Sequence, residues 1–235
     1  MVLAVIPARW GSTRFPGKAL ANIAGKSMIQ RVLEQVNQSN HVNQVVVATD
    51  DERIFSHVRD VGGDVMMTNP AHPSGTDRCA EVAVNFPEAQ IVLNVQGDEP
   101  FILPQQIDLL VNTLLENPHT SIATLAKKID STDFLFNPNV VKAVFSPVAG
   151  AIYFSRHPIP FLRGVAIEDW LEKQDFYKHI GLYGFRREGL MEIAESLEQL
   201  RWLEHGFRIA VGITEWETLG VDTPEDLEGL ATYLP

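Results

Sequence analysis

The chain has 235 residues, 45% hydrophobic and 21% charged, enough for one large or two small domains with a sizeable core. Nineteen Lys and Arg stand against 30 Asp and Glu, a formal net charge of −11 that disfavours a nucleic acid or an anionic membrane as partner. The lone Cys79 excludes an intrachain disulfide and a cysteine-rich zinc site, and with no apolar run of spanning length and no signal peptide, the expected location is cytoplasmic.

Val2–Ile6 is an apolar, β-branched run, long enough for a buried strand and too short for a core helix. It is cut at Pro7, where a loop begins that holds Gly11, Gly17 and three cations, Arg9, Arg14 and Lys18. Met28–Gln38 carries Met28, Val32 and Val36 at helical spacing. Val45–Thr49 reads as a strand, and Asp51–Val61 as a helix whose acidic start suits its dipole. Strands are expected at Asp64–Thr68, Ile91–Val95 and Ser121–Lys127, with a helix opening at Pro104 and carrying Ile107, Leu110, Val111 and Leu114. Beyond that, Val140–Phe145 and Ala151–Ser155 flank a hairpin signal, residues 156–176 read as irregular, and His179–Phe185 is strand-like. Ile193, Leu197 and Leu200 imply a helix, Phe207–Ile213 a strand, and Pro224 opens a last helix to about residue 233. The alternation predicts an α/β fold with an open, mostly parallel sheet. The chain reads as a single domain over 1–235, with an antiparallel insertion at about 146–205 laid over the sheet.

A loop leaving a strand with glycines for close approach and cations for charge suits a polyphosphate. It is not a Walker loop, because five residues separate Gly11 from Gly17 where that pattern has four, and Ala19 replaces the metal-binding Ser or Thr. No Gly-x-Gly-x-x-Gly occurs. Val95-Gln96-Gly97-Asp98-Glu99-Pro100 follows a strand directly, and a carboxylate there, facing a basic loop, is what a magnesium nucleotide needs; a polar turn capping the next helix is the alternative. Thr223-Pro224-Glu225-Asp226 is an ordinary helix start, which leaves Asp222 as a second metal-ligand candidate if it lies beside Asp98. Pro73-Ser74-Gly75-Thr76-Asp77-Arg78 is either a close-approach loop with a charge at Arg78 or a capped helix start, and Thr49-Asp50-Asp51 reads better as a cap. Simple alternation puts His179, Gly181 and Tyr183 on one strand face, suited to a sugar acid or simply half-buried. No nucleophilic or zinc-ligand constellation is present.

Taken together and in this order, these motifs resemble the CMP-Kdo synthetase (3-deoxy-manno-octulosonate cytidylyltransferase) family. The resemblance runs from Ile6 to about Leu227 and also takes in Phe136-Asn137-Pro138-Asn139, Tyr153-Phe154-Ser155-Arg156 and Leu197-Glu198-Gln199-Leu200-Arg201. It implies a Rossmann-like nucleotidyltransferase (GT-A-like) fold with an antiparallel insertion. The implied reaction is transfer of CMP from CTP to the anomeric hydroxyl of Kdo, with release of pyrophosphate, for lipopolysaccharide biosynthesis. By its motifs, Arg9, Lys18, Asp98 and Asp222 carry the chemistry, with Asp98 and Asp222 holding Mg2+. Arg9, Ser12, Thr13, Arg14, Lys18, Ser74, Gly75, Arg78 and Gln96 bind the nucleotide. Gln96, Arg156, Arg163, His179, Tyr183 and Glu198 bind the sugar acid, with Arg156 suited to its carboxylate through a bidentate guanidinium. A homodimer is also implied.

The chain departs from the family where Arg186-Arg187-Glu188-Gly189 reaches Glu195-Ser196 by a short path, either a deletion or an omitted loop, which bears on Glu198. The surroundings of Arg163 match only loosely. A sialic-acid cytidylyltransferase remains open, although its Arg-x-Gly-Ser-Lys differs from Arg14-Phe15-Pro16-Gly17-Lys18, as does a non-catalytic nucleotide-binding regulator. The family pattern does not separate Kdo from its 8-amino relative.

Overall fold

The computed structural model describes residues 1–11, 15–193, 199–221 and 223–230. In chain order the first half gives β1 (Val2–Ala8), a short hairpin of β2 (Asn22–Ile23) and β3 (Lys26–Ser27), α1 (Met28–Val36), β4 (Gln44–Thr49) and α2 (Glu52–Asp60). These are followed by β5 (Val65–Met67), α3 (Gly75–Val84), β6 (Ile91–Asn94), α4 (Pro104–Glu116) and β7 (Ile122–Lys128). The second half gives α5 (Thr132–Phe136), β8 (Lys142–Ser146), β9 (Gly150–Ser155), α6 (Trp170–Lys173), β10 (Tyr177–Arg186), α7 (Arg187–Ile193), α8 (Gln199–Glu204), β11 (Ile209–Thr214) and α9 (Pro224–Leu230).

The main sheet runs β11-β7-β10-β6-β1-β4-β5, with β8 attached to β10 and β9 to β8. Neighbours β5-β4-β1-β6 and the pair β7-β11 are parallel, and β10 is antiparallel to both β6 and β7. Leu3, Ala4, Val5 and Ile6 are fully buried because helices cover both faces of β1, the reason its sequence is a continuous apolar run rather than an alternating one. Local chemistry fixes the helix starts. Ser27 caps α1 by accepting from the Gln30 amide, and Ser74 and Asp77 form a reciprocal capping box on α3. Gln106 accepts from the Leu103 amide ahead of α4, which has Pro104 in its first turn.

Three expectations are corrected. The first strand does not stop at Ile6 but continues through Pro7 and Ala8, which pair with Ala48 and Thr49 of β4. Proline is tolerated there because β6 pairs with β1 only as far as Val5, so the ladder on that edge has ended where the missing N–H would fall. The segment after residue 146 is not simply laid over the sheet, since β10 is one of its central strands. Residues 156–176 include a turn of 3-10 helix at Ile167–Asp169 and α6, anchored by Trp170, whose ring stacks on Phe176 and meets Phe136 and Phe161. The helix expected around Ile193, Leu197 and Leu200 is described as α7 and α8, and Leu197 lies outside the described residues.

The β8–β9 hairpin closes down on β11 through Gly150. This residue has left-handed backbone at φ +75, and a Cβ there would stand 2.3 Å from the Ile209 carbonyl oxygen. Gly150→Ala is therefore expected to lower stability by about 2 kcal/mol or more, read from the urea midpoint at unchanged m-value.

Candidate active site

The strand order reverses direction at β1: β4 and β5 lie to one side of it and β6 to the other. Ligands in open α/β sheets bind at the carboxyl ends of strands at such a point. Here a cavity of about 390 Å³ opens, walled by Pro7, Ala8 and Arg9 at the end of β1, Lys18 and Ala19, His72 to Gly75 at the start of α3, Arg78, and Gln96 to Asp98 after β6. Two glycines permit the close packing behind it. A Cβ at Gly97 would stand 2.8 Å from the Pro7 carbonyl oxygen, and one at Gly75 would stand 3.2 Å from the Pro7 ring.

Lys18 is the centre of this wall. Its Nζ donates to Asp98 Oδ2 at 2.6 Å and to the Val221 carbonyl at 2.7 Å, while the Val221 amide donates to the Asp98 carbonyl at 2.9 Å. Three distant segments thus meet at one ammonium. The loop that delivers Lys18 is held by the Gly17 amide donating to the Trp10 carbonyl. The Trp10 ring packs on Gly17 and carries the Arg53 guanidinium on its face.

The expected nucleotide residues fare differently. Arg9 is exposed at the cavity, and Ser74 and Gly75 present the amino end of the ten-residue α3 to it. Gln96 lines the cavity and is oriented by Asn94, which accepts from Gln96 Nε2 at 3.2 Å and donates to Thr76. Arg78 also lines it, but its guanidinium is buried and spent on Asp50 and on Thr68 Oγ1 at 2.6 Å, so it binds the scaffold. Asp50 therefore pairs with Arg78, while Asp51 is the α2 cap. Ser12, Thr13, Arg14, Glu198 and Asp222 lie outside the described residues. Cys79 is buried, and burial raises its thiol pKa, so it is packing material.

Of the residues expected at the sugar acid, Gln96 lines that cavity, while His179 and Tyr183 lie outside its lining on β10, the strand that neighbours β6. One edge of β10 is shared: β6 pairs with Tyr183 to Arg186, and β8 with Tyr177 and Lys178. In the seam between, a Cβ on Gly181 would come 3.6 Å from Glu99 Oε1 and 3.9 Å from Gln96. Burial, with Asp98 adding to it and Lys178 opposing it, pushes the Glu99 carboxyl up to about 7. Simple alternation along β10 fails, since its register with β7 passes from Ile180–Leu125 directly to Tyr183–Thr124, leaving Gly181 and Leu182 as a bulge. The bulge brings the rings of His179 and Tyr183 to 5.4 Å on one face. Arg156 donates to the Pro138 carbonyl at 2.8 Å, and its own carbonyl is held by the buried Lys142, which also binds the carbonyls of Asn137 and Val140. That accounts for the Asn137-Pro138-Asn139 motif as a platform for Arg156. Arg163 is exposed with no polar partner among the described residues.

Sequence reasoning missed Asn94, Glu99, Thr124 and Lys142. Asn94 and Thr124 each interrupt an apolar strand run and are buried, and a polar residue at such a position is the signal that marks them.

A family profile described as cytidylyltransferase matches residues 3–219. The chain belongs to the cytidylyltransferase family. Among curated relatives, the 3-deoxy-manno-octulosonate cytidylyltransferase of Parabacteroides distasonis is 50% identical, the match covering 99% of this chain and 97% of the relative. That of Porphyromonas gingivalis is 51% identical over 99% of this chain and 96% of its own length. A solved structure of CMP:2-keto-3-deoxy-manno-octonic acid synthetase complexed with CTP superposes with a TM-score of 0.89 at 39% identity, covering 99% of this chain and 97% of that one. The family resemblance read from the motifs is thereby borne out, as is the nucleotidyltransferase fold. Among the described residues no helix is long and apolar enough to cross a membrane.

Burial lowers the His179 pKa from its ordinary 6.5 to about 4. The unfolded chain therefore binds the proton more tightly, and this group's contribution to stability is lost as pH falls from 6.5 towards 4. Its ring signals in a proton NMR titration are expected to hold steady from neutral pH down to about 5 and to move with a midpoint near 4. His179→Gln is expected to remove that part of the acid sensitivity; a midpoint near the ordinary value of 6.5 would contradict the burial.

Proposed function

We propose that the chain transfers CMP from CTP to the anomeric hydroxyl of Kdo, giving CMP-Kdo and pyrophosphate for lipopolysaccharide biosynthesis. The observation that carries this reading is the meeting of Arg9, Lys18, the α3 amino end and Asp98 around one cavity. It is supported by close relatives that bear that name and by a neighbour whose solved structure contains CTP.

In the proposed reaction the sugar hydroxyl oxygen forms a bond to the α-phosphorus as the bond to pyrophosphate breaks in line, and the hydroxyl proton is released. Arg9 and Lys18 offset the charge that accumulates on the leaving pyrophosphate, and the amino end of α3 at Gly75 adds a partial positive end. Gln96, held by Asn94, marks the junction between nucleotide and sugar acid. Arg156 meets the carboxylate, and His179 and Tyr183 take sugar hydroxyls. Rate then comes from placement and electrostatics, with no nucleophilic side chain.

Magnesium fits this donor set. Asp98 is a partly exposed carboxylate on the cavity wall that already carries a cation, the Lys18 ammonium, at 2.6 Å. No group of three or more His, Cys, Asp or Glu side chains suited to a metal occurs among the described residues, so Asp98 would act with Asp222 and with phosphate oxygens. Bound there, the ion would polarise the α-phosphate and lower the pKa of the attacking hydroxyl. We further propose a cytoplasmic homodimer formed through the inserted region at about 146–205.

Asp98→Ala is expected to abolish pyrophosphate release, a loss of at least about a thousandfold, while circular dichroism stays unchanged. Retained turnover at saturating magnesium would refute the metal assignment. Pyrophosphate release from CTP is expected with Kdo and not with a sialic acid; the reverse preference would favour the related cytidylyltransferase class. CTP affinity with no turnover on either acid would favour a regulator.

A further inference from the structure

Thr124 is fully buried on β7, directly opposite the bulge in β10. Its Oγ1 lies 2.8 Å from the Leu182 carbonyl oxygen, 3.1 Å from that of Ile180, and 3.0 Å from Nε2 of His179. A hydroxyl carries one hydrogen, and carbonyl oxygens only accept. If that hydrogen pointed at the imidazole, the Thr124 oxygen would face two carbonyl oxygens at 2.8 and 3.1 Å with no hydrogen between them. The repulsion is removed only when the hydroxyl donates to the carbonyls. Its lone pair then faces His179, and Nε2 must bring the hydrogen.

We propose that Thr124 is a positioning residue that locks His179 in its Nε2–H tautomer, leaving a bare Nδ1 to accept a hydrogen bond from a hydroxyl of the sugar acid. Nδ1 has no hydrogen-bond partner among the described residues. Phe154 and Tyr183 hold the ring on two sides, with centroids 4.8 and 5.4 Å away, so it cannot turn to exchange its nitrogens without displacing them. The low pKa of the ring keeps it from donating through both nitrogens near neutral pH. A nitrogen that only accepts takes a hydroxyl and repels a carboxylate, so His179 orients the polyol of the sugar acid and leaves its carboxylate to a guanidinium. The same hydroxyl ties off both carbonyls released by the bulge, so one side chain sets the strand distortion and the tautomer together.

The role of Nδ1 rests on the functional reading above, whereas the tautomer does not, and the test separates them. The first measurement is a long-range proton–nitrogen correlation on the nitrogen-15-labelled full-length protein without substrates at neutral pH, with His179 assigned by its loss in His179→Gln. A protonated Nε2 and an unprotonated Nδ1 are expected. Thr124→Val is expected to shift the ring toward the other tautomer or a mixture, and Thr124→Ser to restore the wild-type pattern. In the transfer assay, Thr124→Val is expected to raise KM for Kdo by about fivefold or more, with KM for CTP unchanged. A wild-type ring protonated at Nδ1 overturns the proposal whether or not Thr124→Val folds. A tautomer change that leaves KM for Kdo unmoved overturns the acceptor role. If the wild-type protein transfers CMP to no sugar acid at all, the functional reading and the acceptor role fail, and the nitrogen spectra still decide what Thr124 does.

Discussion

A single ammonium joins the parts of this molecule that its sequence holds furthest apart. Lys18 reaches from the loop after β1 to the carboxylate of Asp98 after β6 and to the backbone of Val221 ahead of α9. An ion pair with side chains 15% and 34% exposed is screened less than a surface pair, and the hydrogen bond to the Val221 carbonyl adds a charge-assisted contact. The local geometry serves this contact. Gly17 turns the chain beneath the Trp10 ring, and Gly97 lets the β6 turn rest on the Pro7 carbonyl. The cavity is what remains when three segments are drawn together without filling the space between them.

The second half of the site depends on a strand that runs against its neighbours. Because β10 is antiparallel to β6, its amino-terminal half continues past the end of β6, alongside the Gln96–Glu99 turn. An uninterrupted strand there would spread His179 and Tyr183 far along its length, roughly 13 Å at the usual rise per residue. The bulge folds that distance up and sets the two rings side by side, while the buried ammonium of Lys142 collects the loop that carries Arg156. The division of labour follows the topology: the parallel strands build the side proposed for the nucleotide, and the reversed strand with its attached hairpin builds the side proposed for the sugar acid.

Much of this was legible in the chain. The buried parallel strands announce themselves as short apolar runs, and the loops at their carboxyl ends carry the Gly, Lys and Asp that a phosphate and a cation require. What local pattern does not carry is the partner of a side chain. Arg78 in its loop looks like any cation near a phosphate, and only the fold supplies Asp50 and Thr68 to claim it. The direction of β10 and its two extra residues depend on pairing with strands distant in sequence, to which period-two alternation is blind. Trp170 anchors a stretch whose prolines and glycine read as irregular, because its ring partners, Phe136, Phe161 and Phe176, come from three separate places in the chain. Thr124 and Asn94 gave a faint signal as polar residues in apolar strands, without revealing what they bind.

The most direct test of the convergence at Lys18 is a crystal structure of this protein with CTP and magnesium. The triphosphate is expected in the cavity between Arg9 and the amino end of α3, with Lys18 on a phosphate oxygen and the metal on Asp98. A nucleotide seated elsewhere on the molecule, or a metal with Asp98 outside its coordination shell, would contradict it.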